Sequence, residues 1–258
     1  MKSPSAVPER ILITGIYGAG KTEVAVSWAA AMRKAGEGRC WWVNTDIPGT
    51  VQRVNERYDD WESNITFTDV GDWESLADAT DTFRSLMKPG DLLVVDSADK
   101  TWTWIRDLYD YTQADRKGTL PKAGDWFGVI EEVDDMKRWD PINTAYQRWV
   151  MPILDPARCP AHVVLISPAQ PIKVATEKSN WSDDKGIISE FGKFGVRPAG
   201  NKHLTYQFHT VLLMEHGRGG YTMTTMKDRS REYADKMPLS ESFPFTAGYL
   251  MGLAGWEL

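Results

Sequence analysis

The segment Gly15-Ile16-Tyr17-Gly18-Ala19-Gly20-Lys21-Thr22 constrains this chain more than any other, because it fits the pattern GxxxxGK[ST]. It lies between a short β-rich run, Ile11 to Thr14, and a stretch from Lys21 to Ala35 with apolar residues at Val24, Ala25, Trp28, Ala29 and Met32. That periodicity predicts a helix with one apolar face. Glycines at a strand-to-helix turn let successive backbone N–H groups converge on phosphate oxygens, and the helix N-terminus adds its dipole. The lysine of such a turn reaches the β and γ oxygens, and the threonine hydroxyl meets Mg²⁺. Gly15, Tyr17, Gly18, Ala19, Gly20, Lys21 and Thr22 are therefore expected to hold ATP, with Thr22 also a magnesium ligand.

Further along, Cys40 to Val43 reads as a second strand ending at Asn44-Thr45-Asp46. A helix through Val51, Val54, Tyr58 and Trp61 and a strand from Ile65 to Val70 come next. Asp72 is placed to cap a helix reaching Met87, which Pro89-Gly90 stops. Leu92 to Val95 is an unbroken apolar run of the kind found where a parallel strand is covered on both faces, and Asp96 closes it. An apolar strand ending in a carboxylate makes Asp96 the expected partner of Thr22 at the metal, acting through water. Alternation of strands and helices implies right-handed βαβ units, hence an α/β fold with a mostly parallel central sheet flanked by helices.

Past Thr112 the pattern weakens, and two long loops are expected, at about 112–140 and 168–200. Between them Asp140-Pro141 offers an N-cap and a first-turn proline. The helix so opened carries Trp139, Ile142, Asn143, Tyr146 and Trp149 on one face, and His162 to Ser167 comes after it as a buried strand. Thr205 to Met214 and Gly220 to Met226 read as a C-terminal β-hairpin. The chain is thus expected to be one domain, 11–258, behind a flexible polar segment, 1–10.

The formal net charge of −6 gives no global attraction for nucleic acid, so any contact with DNA must be local. The 2 cysteines, Cys40 and Cys159, have no CxxC spacing, and the 4 histidines have no HExxH spacing, which argues against a disulfide framework and a zinc site. No apolar run approaches a membrane span, and a cytoplasmic location is expected. The 12 tryptophans suit either base stacking or core packing, with the core the commoner fate of large aromatics.

The pair Asp96-Ser97 after the apolar strand, and the closing of the second strand at Val43-Asn44-Thr45-Asp46, resemble RecA-like ATPases. The likeness runs from about Ile11 to Phe245 and looks closest to the short phage-encoded members associated with single-strand annealing and recombination. It implies a RecA-like P-loop fold and ATP hydrolysis. Asp46 would be the base that activates water, where the family usually has Glu. Ser167 or Gln170 would be the sensor of the γ-phosphate. Pro198 to Leu204 resembles the return from the second DNA-binding loop. Lys227 and Arg229, two residues apart on an extended segment, would act in trans on a neighbour's nucleotide, which implies a homo-oligomer, ring or filament, with a composite site.

The same resemblance implies that the second loop faces single-stranded DNA through Lys173, Lys178, Trp181, Lys185, Lys193, Phe194 and Arg197, cations for the backbone and aromatics for the bases. Glu177, Asp183, Asp184 and Glu190 in that loop nearly cancel its charge, and the first loop carries more anions than cations. A helicase- or terminase-like DNA motor and a small-molecule phosphotransferase are the competing readings. All of them require Lys21 at the phosphates. Lys21→Ala is expected to abolish ATP hydrolysis in a phosphate-release assay while leaving the circular dichroism spectrum unchanged.

Overall fold

The computed structural model describes residues 8–34, 38–57, 65–114, 138–174, 182–201, 203–218, 220–229 and 242–244. The strands are β1 (Arg10–Gly15), β2 (Cys40–Asn44), β3 (Ile65–Asp69), β4 (Leu92–Asp96), β5 (His162–Pro171), β6 (Val196–Pro198), β7 (Thr210–Gly217), β8 (Gly220–Asp228) and β9 (Ser242–Pro244). The helices are α1 (Lys21–Lys34), α2 (Thr50–Asn55), α3 (Trp73–Leu86), α4 (Ala98–Ala114), α5 (Trp139–Leu154) and α6 (Lys185–Phe191). The sheet runs in the order β3-β2-β4-β5-β1-β7-β8-β9, with β6 paired to β5 alone. Every pairing from β3 across to β7 is parallel. The β7–β8 and β8–β9 pairings are antiparallel. The α/β class, the mostly parallel sheet and the C-terminal hairpin are as expected from the sequence.

Two cores cover the two faces of this sheet, and strand periodicity assigns residues between them. On one face Leu12, Val43, Leu93, Val95, Val163 and Leu165 pack with Trp73, Tyr146, Trp149 and Ile153 from α3 and α5. On the other, Ile11, Ile13, Trp42, Val94, Val164 and Ile166 pack with Val24, Trp28 and Met32 of α1. Trp28, Trp41, Trp42, Trp73 and Trp149 are all buried, so these five are core residues and offer no face to a base. Among the described residues no helix is long and apolar enough to cross a membrane.

Local signals place most element ends. Asp72 accepts the Ser75 N–H at 2.8 Å while the Ser75 hydroxyl receives the Asp72 N–H, a reciprocal capping box that starts α3. Elsewhere the expected boundaries move. Helix α4 fills a stretch with no expected element. Helix α5 begins at Trp139, behind an Arg138 that makes no side-chain cap, so Asp140 is a first-turn acid and not the N-cap. Strand β7 begins at Thr210 because Leu204–Gln207 forms a 3₁₀ turn. Most of the first expected loop, residues 115–137, lies outside the described residues, as do Tyr58, Trp61, Lys178, Trp181 and residues 1–7.

The second expected loop is largely folded. Strand β5 continues to Pro171, and α6, a 3₁₀ turn at Gly192–Phe194 and β6 occupy much of the chain from there to Pro198. Buried Ile187 and Phe191 anchor α6 to the first core. Their spacing of four is a helical face, hidden in the sequence by the charged residues around it.

At the other end of the strands, Arg10 belongs to β1 and not to a flexible leader. It is 1% exposed, and its guanidinium donates to the carbonyls of Leu154 (2.9 Å), Ala161 (2.7 Å) and Cys159 (2.7 Å). One side chain thereby satisfies the backbone where α5 turns into β5. Arg10→Met leaves those buried acceptors without donors, at roughly 1–3 kcal/mol each. Urea unfolding followed by fluorescence is expected to show a loss of more than about 3 kcal/mol.

Candidate functional site

The parallel register brings the carboxyl ends of β1, β5, β4 and β2 to one edge. Gly15 pairs with Pro168, Ile166 with Asp96, and Asp96 with Asn44. From that edge the chain leaves β1 through a turn in which Gly18 and Gly20 have φ of 76° and 82°. Those values favour glycine. The Ala19 N–H is bonded to the Ile16 carbonyl at 3.2 Å, whereas the N–H groups of Gly18, Gly20, Lys21 and Thr22 find no acceptor among the described residues. Four unpaired donors at the start of a 14-residue helix form a concave anion cradle.

Glycine is also required by packing here. A Cβ on Gly15 would stand 2.3 Å from the Met214 carbonyl oxygen, so only glycine lets β7 pair at this point. One on Gly20 would meet the Tyr221 ring at 3.0 Å. Tyr221, stacked on His216 with centroids 4.4 Å apart, forms the hairpin side of the cleft. The Lys21 ammonium curls over the cradle, donating to the carbonyls of Gly15 (2.9 Å) and Ile16 (2.8 Å). Burial lowers its pKa, and the nearby Asp96 opposes that shift.

Thr22 and Asp96 meet directly, the threonine hydroxyl donating to the carboxylate at 2.8 Å. Burial is the main cause that pushes the Asp96 carboxyl up to about 6, and the Thr22 hydrogen bond works against it. The next peptide bond, Asp96–Ser97, is cis. Beside it the tip of β2 is tied down, since the Thr45 N–H donates to the Asp96 carbonyl and the Ser97 N–H to the Thr45 hydroxyl at 2.6 Å. Asp46 lines the cleft with its carboxylate paired to Lys100 at 2.9 Å, and Lys100 also holds the Thr45 carbonyl at 3.0 Å.

The cleft has a volume of about 280 Å³. Its lining carries three carboxylates, Glu23, Asp46 and Asp96, against two cations, Lys21 and Arg57. An excess of anions beside an anion cradle fits a site that takes its polyphosphate together with a divalent cation. Among the described residues no group of three or more His, Cys, Asp and Glu could hold a metal unaided. Magnesium keeps waters and phosphate oxygens as ligands and takes only one or two from the protein. Thr22 and Asp96 are the residues placed to supply them.

Other expected site residues are not gathered here. The buried Ser167 hydroxyl donates to the Ala199 carbonyl at 2.9 Å, and the Gln170 carboxamide oxygen faces the Arg197 guanidinium, 2.8 Å from Nη2. Neither lines the cleft; Pro168 holds the β5 position at its edge. Arg197 is itself buried and paired with Asp183 at 3.0 Å, so it is an internal strut and not a strand-facing cation. Phe194 packs partly against the core, under the Lys193 ammonium at 4.9 Å. Lys173, Lys185 and Lys193 are exposed.

Lys227 and Arg229 do not share an outer face. A bulge opposite Val211/Leu212 turns Lys227 inward, where it donates to the Thr205 carbonyl at 2.7 Å and pairs with Glu190 at 3.6 Å. Strand β8 ends at Asp228, leaving Arg229 exposed in a bend. Conversely, Glu23, Arg57, Lys100 and Tyr221 border the site without having been expected there. Lys100 carried the one available signal, standing four residues past Asp96 in the first turn of the next helix.

No family model and no curated protein matches this chain. The chemistry of the site therefore rests on its own geometry, and Asp96 gives a direct test. Its folded pKa of about 6 lies above the ordinary value of 3.8. The folded state thus holds the proton more tightly, so the contribution of Asp96 to stability is fully present below about pH 4 and is lost as pH rises through about 6. In metal-free protein Asp96→Asn is expected to raise the unfolding free energy at pH 8 by on the order of 3 kcal/mol. The gain should shrink to nothing below about pH 4. Chemical denaturation of both proteins across that range measures it.

Proposed function

We propose that this chain is a magnesium-dependent ATP hydrolase of the RecA-like type that works on single-stranded DNA. The observation that carries the hydrolase is the convergence of four unpaired amides, the Lys21 ammonium and the Thr22–Asp96 pair at 2.8 Å on one sheet edge. Held there by Thr22 and Asp96, magnesium would supply charge neutralisation on the phosphate oxygens. The chain's own groups do the rest. The amides of Gly18, Gly20, Lys21 and Thr22 orient the polyphosphate, and Lys21 can leave its carbonyl partners for the stronger acceptor. Asp46, held by Lys100 at the end of β2, orients a water toward the cleft.

The order of strands supports the RecA-like assignment within this reading. Strand β5 lies between the strand that feeds the cradle and the strand that ends in Asp96, so the nucleotide would sit across three strand tips. A cleft of about 280 Å³ leaves room for the polyphosphate, with the nucleoside toward the hairpin and Tyr221.

For DNA, Lys173, Lys185 and Lys193 are the expected cations that remain exposed, and they flank β5 and α6. Association of copies into a ring or filament along the strand belongs to the same proposal. The test is ATP hydrolysis with no DNA, single-stranded DNA and duplex DNA at two salt concentrations. Single strands are expected to stimulate, steeply less at the higher salt. Replacing the three lysines by alanine should flatten the log–log salt dependence of binding by about two, given a slope of about 0.7 per phosphate contact on single strands. Equal rates in all three conditions would remove DNA from the proposal.

A further inference from the structure

The geometry points to Arg57 as the cation that meets the terminal phosphate, supplied by the same chain that binds the nucleotide. This rests on the hydrolase reading above and adds to it the source of the charge that stabilises phosphoryl transfer. Arg57 lies just past α2 and lines the cleft together with Lys21, Thr22, Asp46 and Asp96. Its N–H is bonded to the Val54 carbonyl at 3.2 Å, which fixes where the side chain starts. Only Nη1 is engaged, on Glu23 Oε2 at 2.8 Å, and Nε and Nη2 find no acceptor among the described residues. Glu23 directly follows Thr22, so the anchored corner of the guanidinium stands one residue from the hydroxyl that meets Asp96.

A guanidinium held at one corner keeps a planar set of donors for phosphate oxygens, which it matches in a bidentate way. Its side chain is 65% exposed, and exposed ion pairs hold weakly, so small readjustments toward a phosphate cost little. Two other cations, Lys100 and Lys227, are committed. Lys100 holds Asp46 and the Thr45 carbonyl, and Lys227 is buried on Thr205 and Glu190. Arg229 lies eight residues along the hairpin from Tyr221, about 26 Å at strand spacing, and no reach within one chain brings it to the cleft.

In the step served, the water oxygen bonds to the γ-phosphorus as the bond to the bridging oxygen breaks, and that electron pair leaves with the diphosphate. The water proton passes to Asp46 and on to solvent. Arg57 donates to the γ oxygens as their charge redistributes, and removal of such a donor typically slows transfer by about 10²–10³-fold.

The test compares full-length wild type, Arg57→Ala, Arg57→Lys and Lys21→Ala. It measures ATP affinity by displacement of a fluorescent nucleotide with Mg²⁺, and single-turnover hydrolysis at saturating ATP. Arg57→Ala is expected to slow hydrolysis at least about a hundredfold, with affinity changed less than about threefold and the thermal midpoint unmoved. Arg57→Lys should recover part of the rate. Mixing Arg57→Ala with Lys21→Ala should restore nothing, because each active site takes both residues from one chain. A rate within about threefold of wild type, a loss expressed entirely in affinity, or recovery on mixing overturns the inference and leaves the hydrolase reading standing. A wild type with no affinity for Mg²⁺-ATP overturns both.

Discussion

Parallel pairing of β1 between β5 and β7, in register so that Gly15 touches the Met214 backbone, is the constraint on which the rest of the structure hangs. It places the end of β1 deep in the sheet, where the chain must leave through a turn made of glycines. It also aligns Asp96 one strand removed, close enough for Thr22 at the first turn of α1 to reach it. Cradle and carboxylate are thus two results of one packing arrangement. A side chain at Gly15 would unseat both by separating β1 from β7.

The electrostatics of the cleft derive from that burial. Asp96 is 5% exposed and sits near two further carboxylates, Asp46 and Asp99, so its charge is costly without a cation. The chain answers with a hydrogen bond from Thr22 and with positive groups parked nearby but turned to other partners. Lys21 rests on its own loop and Lys100 on the tip of β2. Such a site stores its cations within a short reorientation of any anion that enters the cleft.

Much of this was legible in the sequence wherever a local rule dominated. The glycines and Lys21-Thr22 marked the cradle, the apolar run before Asp96 marked a doubly covered strand, and Asp72 marked a helix start that the capping box explains. The hidden features depended on contacts between distant residues. The helical face of Ile187 and Phe191 is short and interrupted by charge, so residues 168–200 looked open although β5, α6 and β6 occupy much of them. Arg197 resembled a strand-binding cation because its partner, Asp183, is 14 residues away in sequence. Arg57 and Glu23 are 34 apart, and neither has a pattern of its own.

The bulge in β8 carries a lesson about parity. Along an extended ribbon each step inverts which side a residue faces, and one supernumerary residue resets the count. Met226 is that residue: beyond it Lys227 joins Val211 on the side covered by α5 and α6, when simple counting from Met223 would send it to the side of α1. A natural length variant lacking that residue would restore plain alternation and still set its lysine opposite Val211, on the side of Glu190 and the Thr205 carbonyl, losing only the Met226 side chain from the first core.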